Sequence, residues 1–200
     1  MTPLDEIKAT IKTGSELFTY QDENLKYTLL DFWKWSVSDI LSNATRGRLA
    51  EFIVATATNI DINIVRNEWS PYDLITPNGI KLEIKSASYL QSWYQKALSS
   101  ISFSIKLARH WDSATNKVSL VPQRHADVYV FCVLKHQDKQ TINPLNFDHW
   151  EFYVLATKEL NNYTRSQHSI TLNSLKKLTV CVQYNHINDA IIQRHLLNKP

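Results

Sequence analysis

The chain has little glycine and little cysteine, and both shortages exclude classes of site. Only three of its 200 residues are glycine, Gly14, Gly47 and Gly79, so no glycine-rich phosphate-binding loop can be built. The only cysteines are Cys132 and Cys181, and both lie in apolar runs, which predicts buried free thiols. Their spacing excludes a cysteine-based zinc site and a disulfide framework.

Long hydrophobic runs are missing as well. No stretch approaches the ~20 apolar residues that a membrane-spanning helix needs, and the start, MTPLDEIKAT, lacks the apolar core of a signal peptide. We therefore expect a protein of the cytoplasm with no membrane partner. The formal charge is +3 and the pI is near 8.8, which permits nucleic acid as a partner without requiring it.

What the chain does contain is the composition of a globular domain, 44% hydrophobic and 20% charged. Its length suits one domain, and we expect residues 1–200 to form it. Apolar residues recur at helical spacing from Lys26 onward, which predicts helix over the first forty residues. We expect residues 1–42 to be an N-terminal helical extension packed on the domain.

The remaining pattern predicts an α/β domain around one sheet. A helix is expected from Asn43 or Thr45 to Asn59, with Glu51 beside its apolar stripe. That stripe consists of Leu49, Phe52, Ile53 and Thr56. Strands are expected in INIVRNEW, PYDLIT, IKLEIKS and ISFSIK, with central strands in ADVYVFCVL and WEFYVLAT. SLKKL and INDAIIQRHLL are typical of closing helices, and SASYLQSWYQKALSS fits either a helix or a continued strand.

The turn around PNG decides where the charged side chains of this hairpin point. With a two-residue loop, Asn78-Gly79, Asp73 falls opposite Ile84 among apolar residues. With a three-residue loop, Pro77-Asn78-Gly79, Asp73 falls opposite Glu83. The second register separates apolar from charged side chains, so the pattern favours it. Its apolar face holds Tyr72, Leu74, Ile80, Leu82 and Ile84, and its charged face holds Asp73, Lys81, Glu83 and Lys85.

This register predicts a metal site. Asp73 and Glu83 would lie side by side with Cβ atoms ~5 Å apart, and like charges so placed are destabilising unless a cation offsets them. Lys85, on the same face, offsets part of the repulsion, and a bound divalent ion would offset more. Two carboxylates and the backbone carbonyl of Ile84 are hard oxygen ligands of the kind that suit Mg²⁺ or Mn²⁺.

An acidic residue at a strand end, followed by a hairpin and Glu-x-Lys, resembles the PD-(D/E)XK nuclease superfamily, the restriction endonuclease-like proteins. The resemblance covers residues 43–95 and rests on RGRLAEF, SPYDLI and KLEIKS. It implies an α/β fold with a three-layer core, in which a central mixed β-sheet is flanked by helices. In the superfamily core, a helix precedes a three-strand meander that carries the motif, and a further helix and strand follow.

The resemblance also implies a role for each matched residue. Asp73 and Glu83 would bind the metal, and Glu51 corresponds to the helix glutamate that many members add to it. Lys85 would orient the attacking water or stabilise the charge that develops in the transition state. The chain departs from the motif at Pro71-Tyr72-Asp73, where one residue is inserted, and this leaves Glu68 as a rival acid.

Three further residues are expected to bind substrate. Arg48 belongs to a basic rim suited to a DNA backbone, although scattered surface charge is the other explanation. Ser86 could contact phosphate through its hydroxyl or serve only as a turn residue. Gln91 corresponds to a polar residue that some superfamily members carry after the motif lysine, or it lies on a solvated face.

These residues predict a metal-dependent nuclease that hydrolyses phosphodiester bonds in DNA, of restriction or repair type, acting as a Mg²⁺-dependent endodeoxyribonuclease. The alternative is a non-catalytic DNA- or protein-binding module on the same fold. A homodimer is a further expectation, because a two-fold dimer would be needed to read palindromic sites.

Overall fold

The computed structural model describes residues 7–112 and 115–198. The strands, in chain order, are β1 (Leu17–Tyr20), β2 (Glu23–Thr28), β3 (Leu74–Ile75), β4 (Lys81–Ser88), β5 (Ser102–Ser104), β6 (Trp111–Asp112), β7 (Lys117–Val118), β8 (Val128–Leu134), β9 (Trp150–Ala156), β10 (Ser169–Thr171) and β11 (Cys181–Val182). The helices are α1 (Leu29–Val37), α2 (Asn43–Ala57), α3 (Thr157–Asn161), α4 (Leu172–Leu178) and α5 (Ile187–Leu196).

A mixed five-stranded sheet forms the centre of the fold, with the strand order β11-β9-β8-β4-β3. β4 and β8 are parallel, and the other neighbours are antiparallel. All seven residues of β8 are buried, which explains why its sequence is one continuous apolar run. The predicted α/β class and the two predicted central strands are confirmed.

Each face of this sheet carries its own layer of apolar packing. One face packs against α2 and α5 through residues such as Ile53 and Ile191. The other face packs against the β5–β10 pair and α4, through residues such as Phe103 and Leu175. Cys132 is buried as predicted, whereas Cys181 is exposed, because it lies on the edge strand β11.

The N-terminal region differs from the predicted helical extension over residues 1–42. Residues 17–28 form the β1–β2 hairpin, and α1 begins only at Leu29. The hairpin turns at Gln21 and Asp22, both with positive φ, a conformation that the sequence does not signal with glycine. No residue of α1 is fully buried, and its packing on the domain stays a prediction. Residues 1–6 lie outside the described part of the chain.

One predicted strand near the hairpin is absent from the described residues, and the segment left open between helix and strand continues β4 only to Ser88. INIVRNEW forms turns and irregular chain instead of a strand, and no helix follows β4 before β8. The chain after Ser88 is irregular, and the Gln95 side chain holds it by bonding the N–H of Gln91 and the carbonyl of Tyr89. The restriction endonuclease-like core therefore stays a prediction. The described residues lack one strand of the three-strand meander, and they contain no helix between β4 and β8.

α2 is the predicted helix that carries Glu51. Its N-cap residue is Ser42 rather than Asn43 or Thr45, and it ends before Asn59, which has a positive φ. Ile53 is fully buried as predicted, but Phe52 is 48% exposed, because the sheet-facing side runs through Ala50, Ile53 and Val54. None of the helices in the described part of the chain is long and apolar enough to cross a membrane.

The hairpin register follows the three-residue loop. The Thr76 N–H donates to the Ile80 carbonyl, and Leu74 pairs with Leu82. Gly79 has φ near +80°, the left-handed region that this turn requires of its last residue. The predicted register is therefore confirmed, and with it the alternation that places Glu83 and Lys85 on one face of β4.

Gly79→Ala is expected to lower the free energy of unfolding by ~1–2 kcal/mol, because a Cβ is disfavoured in the left-handed region. Open space surrounds the site, so the cost comes from the backbone alone. The matched control is Gly47→Ala, also in open space but inside α2, which should gain ~1 kcal/mol. Urea unfolding measures the change in the free energy of unfolding for each variant. Equal changes for the two substitutions would contradict the assigned turn.

Candidate active site

Asp73 lies at the end of β3 and continues the hairpin through its side chain. Its N–H donates to the Leu82 carbonyl, and its Oδ2 accepts from the Ile84 N–H at 2.7 Å. Asp73 and Leu74 thus both face Leu82, as in a β-bulge, so Asp73 does not form a regular ladder pair with Glu83. The same irregularity explains why Tyr72 packs on the opposite side of the sheet from Leu74, contrary to the predicted apolar face.

Glu83 and Lys85 form an ion pair on one face of β4, with Nζ 2.5 Å from Oε1. Both are partly buried, with side chains 20% and 29% exposed. Burial raises the pKa of Glu83, the Lys85 ammonium lowers it, and repulsion from Asp73 raises it further. The net direction is upward, so holding Glu83 ionised costs free energy even beside its lysine.

Glu51 reaches Asp73 from the other side of the sheet edge. Arg66 donates from Nε to Glu51 Oε2 and from Nη2 to Oε1, and its Nη2 lies 3.9 Å from Asp73 Oδ1. Burial is the first cause that raises the pKa of Glu51, and the Asp73 charge adds to it. Asp73 therefore repels both other carboxylates of the site, Glu51 on one side and Glu83 on the other.

Arg66 is the residue that sequence reasoning missed. It stands in the segment predicted as a strand, and nothing in its neighbours marks it. The sequence indicates only that Asp73 and Glu51 would need a shared positive partner. It does not indicate which arginine is that partner. The structure shows that Arg66 bridges Glu51 and Asp73.

The predicted metal ligands are near one another but do not form a closed ligand set. Within residues 7–112 and 115–198, no three His, Cys, Asp or Glu side chains are placed to hold one metal ion. Glu51 is held by Arg66, and Glu83 by Lys85. The Ile84 carbonyl points to the same open sheet edge as its N–H, where Asp73 lies, because both groups of a strand residue face one neighbour.

The residues predicted to bind substrate fall in two places. Arg48 is exposed and pairs with Glu68 at 3.6 Å. Ser86 and Gln91 instead accept hydrogen bonds from Arg46, which is only 4% exposed. Gln91 also donates to the Ser88 carbonyl, so its observed contacts are internal, and its contact with substrate stays a prediction.

A cleft of about 680 Å³ opens beside the carboxylates. The second half of α2, the chain between Asn59 and Asn67, and β3 form its walls, and Glu51, Arg66 and Asp73 all line it. Its volume lies in the range of ligand-binding clefts. The candidate site is therefore open to a bound molecule on the Glu51 side.

Carboxylates together with lysine and arginine at an open sheet edge are groups that phosphodiester hydrolysis, the reaction of nucleases, can use. The comparison with protein families agrees. The model of the bacteriophage T4 endonuclease IV family matches residues 4–174, most of the chain, so the protein belongs to this family. A search of curated proteins finds no match.

The family match confirms the predicted nuclease class and leaves the finer predictions as they were. It spans every candidate residue from Arg48 to Gln91, together with the central strands β8 and β9. Membership of the PD-(D/E)XK superfamily and metal dependence stay predictions.

Proposed function

We propose that this protein is a Mg²⁺-dependent endodeoxyribonuclease of restriction or repair type, with Mn²⁺ as a substitute ion. The observation that carries the proposal is that Asp73 shares Arg66 with Glu51 and bonds the N–H of Ile84, the neighbour of Glu83, while Lys85 contacts Glu83. Cleavage of single-stranded, duplex and branched DNA, each with and without Mg²⁺, tests it directly.

The donor set fits a divalent ion in its chemistry. Asp73 and Glu83, with the Ile84 carbonyl and with Glu51 as a further ligand, would hold the ion. When bound, it polarises a phosphoryl oxygen and lowers the pKa of a bound water. The carboxylates repel one another, and Arg66 and Lys85 compensate part of this charge.

The side chains of the chain itself have separate roles in this proposal. Asp73 is fixed by the bond from the Ile84 N–H to its Oδ2, so Oδ1, which lies 3.9 Å from Arg66 Nη2, keeps a defined direction. Lys85 places an ammonium where negative charge builds on the phosphoryl oxygens in the transition state. Glu83 holds this ammonium in place, and Arg48 contacts the backbone phosphates at the rim of the cleft.

The alternative is a non-catalytic DNA- or protein-binding module. One observation favours it: Arg66 and Lys85 already pair with all three carboxylates, and the described residues contain no group of three ligands. Such a module would bind DNA with the same affinity with and without Mg²⁺ and would leave it uncut. The family match favours the enzyme.

Glu83→Gln is expected to leave the protein at least as stable as the wild type at neutral pH. The raised pKa means that the folded state binds more protons than the unfolded state between the ordinary value near 4.5 and the raised value. Glu83 therefore favours folding below that window, and this contribution is lost as pH rises through it. Glutamine carries no charge to bury and still accepts from Lys85.

The matched control is Glu159→Gln, which weakens an ion pair of similar burial with Arg194. Glu159 also accepts from the Ala156 N–H, and its substitution should lower stability. Urea unfolding at several pH values measures both. A larger loss for Glu83→Gln than for Glu159→Gln would mark Glu83 as a structural residue.

The predicted homodimer and the cytoplasmic location stay predictions. Sedimentation equilibrium measures the oligomeric state.

A further inference from the structure

A second cavity, of about 460 Å³, lies where the chain enters β8 and α3. Its lining is mostly polar and includes Arg124, His125, Asp127, Lys158 and Asn162. None of these residues belongs to the carboxylate cluster. The volume is in the range of sites that hold small ligands.

Arg124 is a buried charge that has no acidic partner within residues 7–112 and 115–198. It is 9% exposed, and its Nη atoms donate to Asn161 Oδ1, the Ile105 carbonyl and the Gln167 side chain, all of them neutral acceptors. Its Nε is buried and has no hydrogen-bond partner among the described residues. Burying an unneutralised charge is costly, and an anion in the cavity would offset the cost.

The remaining charges make the lining positive. Lys158 is exposed at the cavity and adds a second cation. The one acid, Asp127, is turned to the Lys81 N–H, from which its Oδ2 accepts at 2.9 Å. Two permanent cations thus face one internally satisfied carboxylate, and Asn161 and Asn162 add amide groups that bind phosphate oxygens well.

The cavity lies close to the candidate active site. Asp127 stands one residue before β8, whose second residue, Tyr129, is the ladder partner of Glu83. A ligand that spans both places would therefore be a chain with several anionic groups.

We propose that this cavity is a phosphate-binding subsite for the DNA backbone, which holds a phosphate near the cleaved linkage but not at it. The inference rests on the proposed function. Arg124 and Lys158 supply the charge, and the asparagine side chains orient the phosphate oxygens. The subsite would fix the register of the strand relative to Lys85 and Asp73.

The test compares Lys158→Gln with Lys177→Gln, the same change at an exposed lysine of α4 that does not line the cavity. DNA affinity is measured as a function of salt. Lys158→Gln should weaken binding several-fold and lower the slope of log affinity against log salt by about 1. Equal binding by the two variants would overturn the proposal.

A titration of the wild type with inorganic phosphate, followed by the amide chemical shifts in NMR, tests whether the cavity binds phosphate in the absence of DNA. Shifts at Asn162 and Lys158 that are lost in Lys158→Gln support the subsite, and unperturbed amides overturn it. Shifts by phosphate without a selective loss of DNA affinity also overturn it, because they indicate a site for free phosphate. A wild type that neither binds nor cleaves DNA refutes the proposed function, whereas equal variants of an active nuclease refute only the subsite.

Discussion

Lys85→Ala is expected to lower the rate of DNA cleavage by about 10²–10³-fold, the usual loss when one preorganised charge near a transition state is removed. Affinity for DNA should change much less, because the ammonium acts on charge that appears only during reaction. The measurement is a single-turnover rate at saturating DNA, with affinity determined separately.

Lys177→Ala is the matched control, since it removes an exposed lysine far along the chain from Glu83. Circular dichroism and urea unfolding establish that both variants are folded. A folded Lys85→Ala protein with the cleavage rate of Lys177→Ala would remove Lys85 from the mechanism and favour the binding module.

Removal of divalent ions is expected to reduce cleavage by ~10³-fold or more, because the several kcal/mol that a metal supplies to the transition state are lost. Added Mg²⁺ should restore the rate. Asp73→Asn should give a similar loss that Mg²⁺ does not restore. Asparagine keeps the size of the side chain and an oxygen that accepts from the Ile84 N–H, so the hairpin should persist.

Asp148→Asn serves as the control for charge alone, because Asp148 is exposed and far from the carboxylates in sequence. Chelator titrations of wild type, Asp73→Asn and Asp148→Asn are compared in the same assay. Cleavage that continues undiminished in excess chelator would refute the metal dependence and leave the nuclease class standing.

Local signals predicted the parts of the site that lie within one hairpin. The three-residue loop follows from Pro77-Asn78-Gly79 and from the apolar alternation of β4, both contained in a dozen residues. Glu83 and Lys85 share a face for the same reason. The buried strands β8 and β9 were equally predictable, because strands covered on both faces are continuously apolar.

The wrong predictions of secondary structure and side-chain direction concern segments whose local sequence is compatible with more than one conformation. Leu17 to Thr28 has helical spacing near its end, yet it pairs as a hairpin whose turn lacks glycine. INIVRNEW has the composition of a strand but no neighbouring strand to pair with. The bulge at Asp73 turns Tyr72 to the other face, and alternation alone cannot show an added residue.

The amino-acid sequence by itself determined the central strands β8 and β9 and the hairpin register, and it predicted which acids and which lysine form the candidate site, since these follow from patterns within short segments. The tertiary structure decided that Arg66 bridges Glu51 and Asp73, that Arg46 holds Ser86 and Gln91, and that Arg124 is buried beside a polar cavity. Such contacts join residues far apart in sequence, and which charge meets which depends on how the layers pack, a property that no local pattern encodes.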